Sequence, residues 1–385
     1  MIDIATALSY NQSGMYVKTR LEDVSGQGYA ACEPWQPIVV SRRRIADEIE
    51  RLASEPRPAN GRRAAAIVHP QATAPGLGFA PGIDVTINVL KPGEATVPVR
   101  RNSNQLEICI SGAGSVRAGE REFAVEQHDI WNVPAMQTYA HRNTGTGLWA
   151  RLSYSNAPLL EKLGAHYVEE DPPAWTVDVH AAQEAQQKNR YARETAPDFA
   201  VTPEGARLRG YEFLVDIEVL ESQAILWPWK AVRPHLRISG NDAARGILLL
   251  YNPVTERRNG TTHSFFATLG GSAPNTPQKP APPGHRHSSV AINYRFISAG
   301  GYSVVDGERY DFGGGSLMLA APSWTEHAHS YASSPAGSVS LTVQDHPLHI
   351  GMESLIWQED LTQPILTLGS QAGVTGYVGP RVRGA

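Results

Sequence analysis

The chain carries one plan twice. Ile110-Ser111-Gly112-Ala113-Gly114, followed by Gly119-Glu120-Arg121, returns as Ile297-Ser298-Ala299-Gly300-Gly301 followed by Gly307-Glu308-Arg309. Upstream, the run from Arg63 to Pro70 is echoed from Arg245 to Pro253, and Pro34-Trp35 is echoed by Pro228-Trp229. Downstream, Asp129 to Pro134 is echoed by Ser316 to Pro322 with one residue inserted before the proline. An offset of 187 to 188 residues is too long for a solenoid unit, so the repeat is a duplicated domain. Each copy alternates short apolar runs with glycine-rich turns at intervals of roughly 8–12 residues, the pattern of a sandwich or barrel. The expected fold is therefore dominated by β-structure, with two β-barrel domains and a few short helices.

The expected division places an N-terminal extension with a helix at 1–79 and a first barrel at 80–157. A linker with helices and a lead-in follows at 158–261, then a second barrel at 262–347 and a C-terminal extension at 348–385. Ser41 to Ser54 spaces Ile45, Ile49 and Leu52 as one helical face; Ser41 is a natural N-cap, and Pro56 and Pro58 end the helix. Leu159 to Gly164 reads as a short helix closed by glycine. Residues 180–195 are polar and read as an exposed helix or a linker, and the proline-rich stretch 270–284 reads as irregular.

A formal charge of −4 argues against a general nucleic-acid binder. Neither a secretory signal nor an apolar run of membrane-spanning length is visible, and Cys32 and Cys109 cannot build a disulfide framework. The expected setting is soluble and cytoplasmic, with no membrane or nucleic-acid partner.

The chemistry concentrates between Pro282 and Tyr331. His285-Arg286-His287 puts two imidazoles on one face of a strand, and Pro322-Ser323-Trp324-Thr325-Glu326-His327-Ala328-His329 follows after a hairpin turn at Asp306-Gly307. Three imidazoles leaving open positions suit a divalent metal such as iron, zinc, copper or nickel. Laying the two copies together sets Val99 and Arg101 opposite His285 and His287, and Tyr139 opposite His327. One metal per chain is thus expected, in the second barrel. Only His141 survives, opposite His329; a separate site from Glu107, His128 and His141 fits no ligand spacing. A second metal at His346 and His349, across a proline at a strand exit, is not expected.

These spacings resemble the paired signature motifs of the cupin superfamily, with His327, five residues after Pro322, as the third ligand. Val290 and Ala291 stand where many cupins carry a fourth, glutamate ligand, and a three-histidine set is similar to that of the oxygen-activating cupins. More specifically, Pro283-Gly284-His285-Arg286-His287-Ser288, Val305-Asp306-Gly307-Glu308-Arg309 and Pro322-Ser323-Trp324 with His327 and His329 resemble the gentisate 1,2-dioxygenase-like bicupins. That group includes salicylate and 1-hydroxy-2-naphthoate ring-cleaving dioxygenases. The resemblance implies a bicupin of two double-stranded β-helix barrels, holding one Fe(II) per chain on His285, His287 and His327. It implies an enzyme that opens a hydroxylated aromatic acid with O2, and a homo-oligomer, dimer or tetramer.

By the same resemblance His329 is the catalytic candidate, hydrogen-bonding the bound substrate, while Trp324 and Tyr294 would wall the ring. Two departures stand out. The intact motif lies in the second barrel, whereas such enzymes usually carry iron in the first. Asn293 also replaces the arginine that grips the substrate carboxylate; Arg295, two residues on, shares its strand face and is the expected substitute. The alternatives are a different metal-dependent cupin oxygenase acting on a non-aromatic or non-carboxylated substrate, and a non-catalytic metal-binding bicupin.

Overall fold

A computed structural model describes residues 8–10, 16–18, 21–28, 32–173, 197–210, 223–362 and 365–367. The polar stretch 180–195 lies outside them. The chain divides into two compact units, Met1–Pro34 and Trp35–Ala385. The first contains an antiparallel pair, Leu8–Tyr10 with Tyr16–Lys18. The second contains both copies of the repeat.

In the first copy a six-stranded antiparallel sheet runs Leu226–Trp227, Ile130–Val133, Gln105–Ser111, Trp149–Ser155, Asp84–Leu90, Arg63–Ala66. It faces a five-stranded sheet of Val168–Glu170, Val99–Arg101, Tyr139–Arg142, Gly114–Ala118 and Arg121–Val125. The second copy repeats the first sheet as Ile247–Leu249, Phe266–Ser272, Ser338–Gln344, Ala291–Ile297, Leu317–Ala321, Ile38–Val40. Opposite it stand a three-stranded sheet, Glu308–Phe312, Gly300–Val305 and His327–Ala332, and the strands Arg286–His287, Ile356–Gln358 and Leu366–Thr367. The expected two-barrel, β-dominated architecture is the one observed.

Side chains alternate along each strand, so each six-stranded sheet has one face toward its own barrel and one toward the other copy. Ile87, Leu106, Ile108 and Tyr154 of the first copy join Ile292, Tyr294, Leu341 and Val343 of the second in one buried core. The two sheets thus pack face to face on apolar residues. The helix Arg42–Ser54 adds Ile45 and Leu52 to this core, and the Ser41 hydroxyl accepts from Arg44 N at 3.2 Å as its N-cap. A second helix, Ala157–Lys162, closes through Leu163 and a left-handed Gly164.

Each large sheet is completed by a strand from the other half of the sequence. Val40 pairs with Leu317 at the edge of the second barrel, while Trp227 pairs with Ile130 at the edge of the first. The hairpin turn falls at Asp306 and Gly307, both with positive φ (46° and 82°), as the tight primed turns require. The strand Phe266–Ser272 runs into the stretch expected to be irregular, because Gly270 and Gly271 pair with Ser340 and Val339; no regular element spans 273–284.

Candidate metal centre

The ligand strands meet by backbone pairing. His285 N donates to His327 O at 3.2 Å and His327 N donates to His285 O at 2.9 Å, which locks the two positions opposite each other. His287 follows two residues on, on the same face, and the ligating nitrogens of His285, His287 and His327 lie within 4.8 Å of one another. Val99 pairs with Tyr139 in the same way in the first barrel, so the opposite positions inferred from the repeat occupy equivalent places.

Hydrogen bonds fix which nitrogen each ring offers. His287 Nδ1 lies 2.8 Å from Ser289 O and 3.0 Å from the Ser289 hydroxyl, and His327 Nδ1 lies 3.0 Å from Thr325 O. A carbonyl can only accept, so both Nδ1 atoms carry the proton and both Nε2 atoms present lone pairs to a metal. Burial and the neighbouring His327 push His287 well below the ordinary imidazole range, and burial and His285 push His327 down to about 3. Both rings are therefore neutral at pH 7, the state a ligand needs. The donor set fits a divalent transition metal. Iron adds nothing that these residues contradict.

A cavity of about 360 Å³ opens from the three histidines into the barrel. Asn293 lines it with both amide atoms buried and without a protein partner. His329 lines it as well, with Nδ1 2.9 Å from the Ser303 hydroxyl, which also accepts from Arg295 Nη2 at 3.2 Å. Ser303 Oγ has one proton and two lone pairs, so beside the Arg295 donor it can pair with His329 Nδ1 in either tautomer. Burial and the adjacent His327 hold His329 neutral.

The remaining expected site residues fall elsewhere. The Arg295 guanidinium does not line the cavity; it lies 3.4 Å from the centre of the Phe312 ring and 5.6 Å from that of Tyr331. The expected replacement cation thus reaches the site through its neighbours Ser303 and Tyr331. Tyr294 faces away, into the core between the barrels and 6.0 Å from Phe296, because neighbours of Asn293 in a strand must point to the opposite face. Trp324 carries the Arg286 guanidinium over its ring at 4.6 Å and is not among the lining residues.

Two lining residues escaped the sequence reading. Gln344 brings its amide nitrogen to 3.1 Å from His287 Nε2, on the metal side of the ring. The signal was present: Ser338, Ser340, Thr342 and Gln344 alternate with Val339, Leu341 and Val343, a polar and an apolar face. Trp357 stacks on His285 with rings 7° from parallel and 5.7 Å apart. Nothing in its local sequence marks it; the strand Ile356–Gln358 brings it by pairing with Arg286–His287. His346, expected to be uninvolved, reaches the Ser289 hydroxyl at 3.1 Å and so buttresses His287 from behind; it opens the helix His346–Gly351 where a strand exit was expected.

The first barrel fills the same space. Glu107, Arg151 and His141 are almost fully buried there; Arg151 Nη1 donates to the Glu107 carboxylate at 3.0 Å. His141 Nε2 lies 3.1 Å from the same oxygen without hydrogen-bond alignment. His128, the third member of the alternative site, instead packs against Trp229 and Phe296.

No family model matches the chain. It is 27% identical over 157 residues to gentisate 1,2 dioxygenase 1 of Aquipseudomonas alcaligenes, covering 40% of this chain and 39% of that protein. It is 30% identical over 97 residues to 5-nitrosalicylic acid 1,2-dioxygenase of a Bradyrhizobium species, covering 24% of this chain and 47% of that one. The matched stretches thus span less than half of each relative. Among solved structures, salicylate 1,2-dioxygenase of Pseudaminobacter salicylatoxidans superimposes with a TM-score of 0.63 at 13% identity, covering 87% of this chain and 90% of that one. The same enzyme solved as adducts with gentisate gives 0.62 at 14% identity, covering 85% and 86%. The chain thus has the bicupin fold of salicylate 1,2-dioxygenase and resembles in sequence the gentisate 1,2-dioxygenase group.

Proposed function

We propose that the protein is an Fe(II)-dependent dioxygenase that opens the ring of a hydroxylated aromatic compound with O2. The observation that carries this reading is the convergence of three histidines, two of them neutral and held by hydrogen bonds, on the wall of a cavity in a fold shared with salicylate 1,2-dioxygenase. A ferrous ion held by His285, His287 and His327 would supply open positions for the substrate and dioxygen and a route for electrons between them, making their reaction effectively intramolecular.

The protein's own part is orientation and proton control. His329 is placed to share a hydrogen bond with a substrate oxygen through Nε2, its ring held at Nδ1 by Ser303 and, behind that, Arg295. Ala291, Ala328 and Trp357 line the cavity with apolar surface and limit water around the reacting atoms. Ser289 and the Thr325 carbonyl keep His287 and His327 from rotating.

The test is metal analysis of freshly reduced protein with oxygen uptake on a panel of hydroxylated aromatics. About one iron per chain is expected, and His285→Ala, His287→Ala and His327→Ala should each lose both metal and uptake while the protein stays folded, since open zinc and iron sites need all three protein ligands. Full uptake by the His327 variant, or no uptake with any member of the panel, would defeat the reading.

A further inference from the structure

The cavity above the histidines contains no full charge among its described residues: none of the lining side chains is Lys, Arg, Asp or Glu. Besides the histidines, its polar surface includes the hydroxyls of Tyr331, Ser338, Ser340 and Thr342 and the amides of Asn293 and Gln344. Asn293 is 1% exposed, and neither its Nδ2 nor its Oδ1 has a protein partner. Buried polar groups in native proteins are paired, so a residue aimed into a cavity with both atoms free is built to meet a ligand.

An amide offers one donor and one acceptor side by side. A hydroxyl or a carboxamide can use both. A carboxylate can use only Nδ2–H and sets its own lone pairs against Oδ1. Arginine would instead grip a carboxylate with two parallel charged bonds. Arg295 is excluded from that role by position, since its guanidinium lies against Phe312 and Tyr331 and donates to Ser303. Three neutral histidines leave a divalent ion with two positive charges, which a fully ionised ortho-diphenol neutralises. No cation among the described lining residues remains for a further anionic substituent, and a buried unpaired charge is strongly disfavoured.

We infer that Asn293 is a specificity-determining residue, and that the cavity takes an ortho-diphenol whose further substituent is uncharged. Such a ring chelates the metal through phenol oxygens and presents an uncharged hydroxyl or carboxamide to the Asn293 amide. The choice of aromatic ligands rests on the ring-cleaving reading; the readout below does not.

The test is anaerobic titration of the full-length, iron-loaded protein with pyrogallol, 3,4-dihydroxybenzamide, 3,4-dihydroxybenzoate and gentisate. Pyrogallol and 3,4-dihydroxybenzamide should bind about tenfold or more tightly than the two carboxylates, the discrimination expected when a pairing group is matched or left unpaired. Asn293→Arg should reverse the order, with 3,4-dihydroxybenzoate gaining about tenfold or more from a bidentate partner. Asn293→Asp, nearly isosteric, should weaken 3,4-dihydroxybenzoate more than pyrogallol through like-charge repulsion; it gives a second readout if the arginine variant loses iron. Carboxylates bound as tightly as the uncharged-substituent ligands by the wild type, an order unchanged by both substitutions, or binding of none of the four would each overturn the inference. Oxygen uptake is read separately. Preference for uncharged ligands without uptake defeats the ring-cleaving reading alone, while efficient uptake with gentisate as the preferred ligand defeats this inference alone.

Discussion

The two barrels share a register and differ in what points inward. Paired positions can be read across the sheets: Arg151 pairs with Asn88 where Ser340 pairs with Gly270, and Trp149 pairs with Leu90 where Ser338 pairs with Ser272. Glu107 lies opposite Trp131 and Ser153 where Asn293 lies opposite Met318 and Thr342. At Trp149, Arg151 and Glu107 the first barrel has the bulkier or charged residue, against Ser338, Ser340 and Asn293. Its interior is solid, with the Arg151 guanidinium 4.6 Å over the Trp149 ring and an ion pair at the position of the cavity. The second barrel keeps the frame and removes volume along one wall. A cavity, in this fold, comes from a few inward positions on two strands and requires no change of topology.

Transferring residues between the barrels should produce the largest effects. Ser338→Trp, carrying the first barrel's residue into the second, should abolish oxygen uptake while iron remains near one per chain, because the added indole occupies the cavity and touches no ligand histidine. Uptake above about a hundredth of wild type, a loss smaller than misplacing a reactive group typically causes, would break the comparison. The reverse graft, Val99→His with Arg101→His and Tyr139→His, should yield no second active site, because Arg151 and Trp149 still fill the space; a rise in uptake per chain would contradict this.

The next effect falls on stability. Glu107→Ala leaves Arg151 buried without its carboxylate, which should cost about 3–5 kcal/mol in denaturant unfolding without changing iron content. A loss of iron instead would mean that the first barrel does more than support the second.

Acid should act mainly on the second barrel. His141 is pushed down to about 4, by burial and by Arg151, from an ordinary 6.5, and burial likewise lowers His287, His327, His329 and His346. A lowered histidine pKa means that the unfolded chain binds the extra proton first. Stability is then complete above pH 6.5 and falls as pH drops toward about 3. Melting temperatures of the metal-free protein should decline over that window, and His141→Gln should remove only a minor part of the decline, since four of these five rings lie in the second barrel. A decline flattened by that single change would reverse the assignment. The smallest effect expected is from Ser289→Ala, which removes the hydroxyl shared by His287 and His346 but keeps the Ser289 carbonyl on His287 Nδ1; iron affinity should fall about tenfold by competition with a chelator.

Much of this was legible before folding. The repeat gave two barrels, the alternation in His285-Arg286-His287 and the spacing to His327 pointed to the three imidazoles that the fold brings together, and Ser41 gave the helix start. Asn293 and Arg295 were expected on one strand face. The same rule of alternation excludes Tyr294 from that face, so its placement beside the ring conflicted with the strand's own period. Arg295 could not be resolved by periodicity, because a shared face fixes direction and leaves open how far along a barrel axis a guanidinium reaches; the Phe312 ring across the barrel set that distance.

What the sequence by itself determined is local: strand period, turn chemistry, cap and ligand spacing depend on neighbours a few residues apart. Tertiary structure decided whatever depends on chain segments distant in sequence. Trp357 reaches His285 only because the strand Ile356–Gln358 pairs beside Arg286–His287. Ile38–Val40 and Leu226–Trp227 each complete the barrel of the opposite half. An edge strand's backbone groups pair with whichever edge the packing leaves open, and side-chain pattern does not encode which one that is.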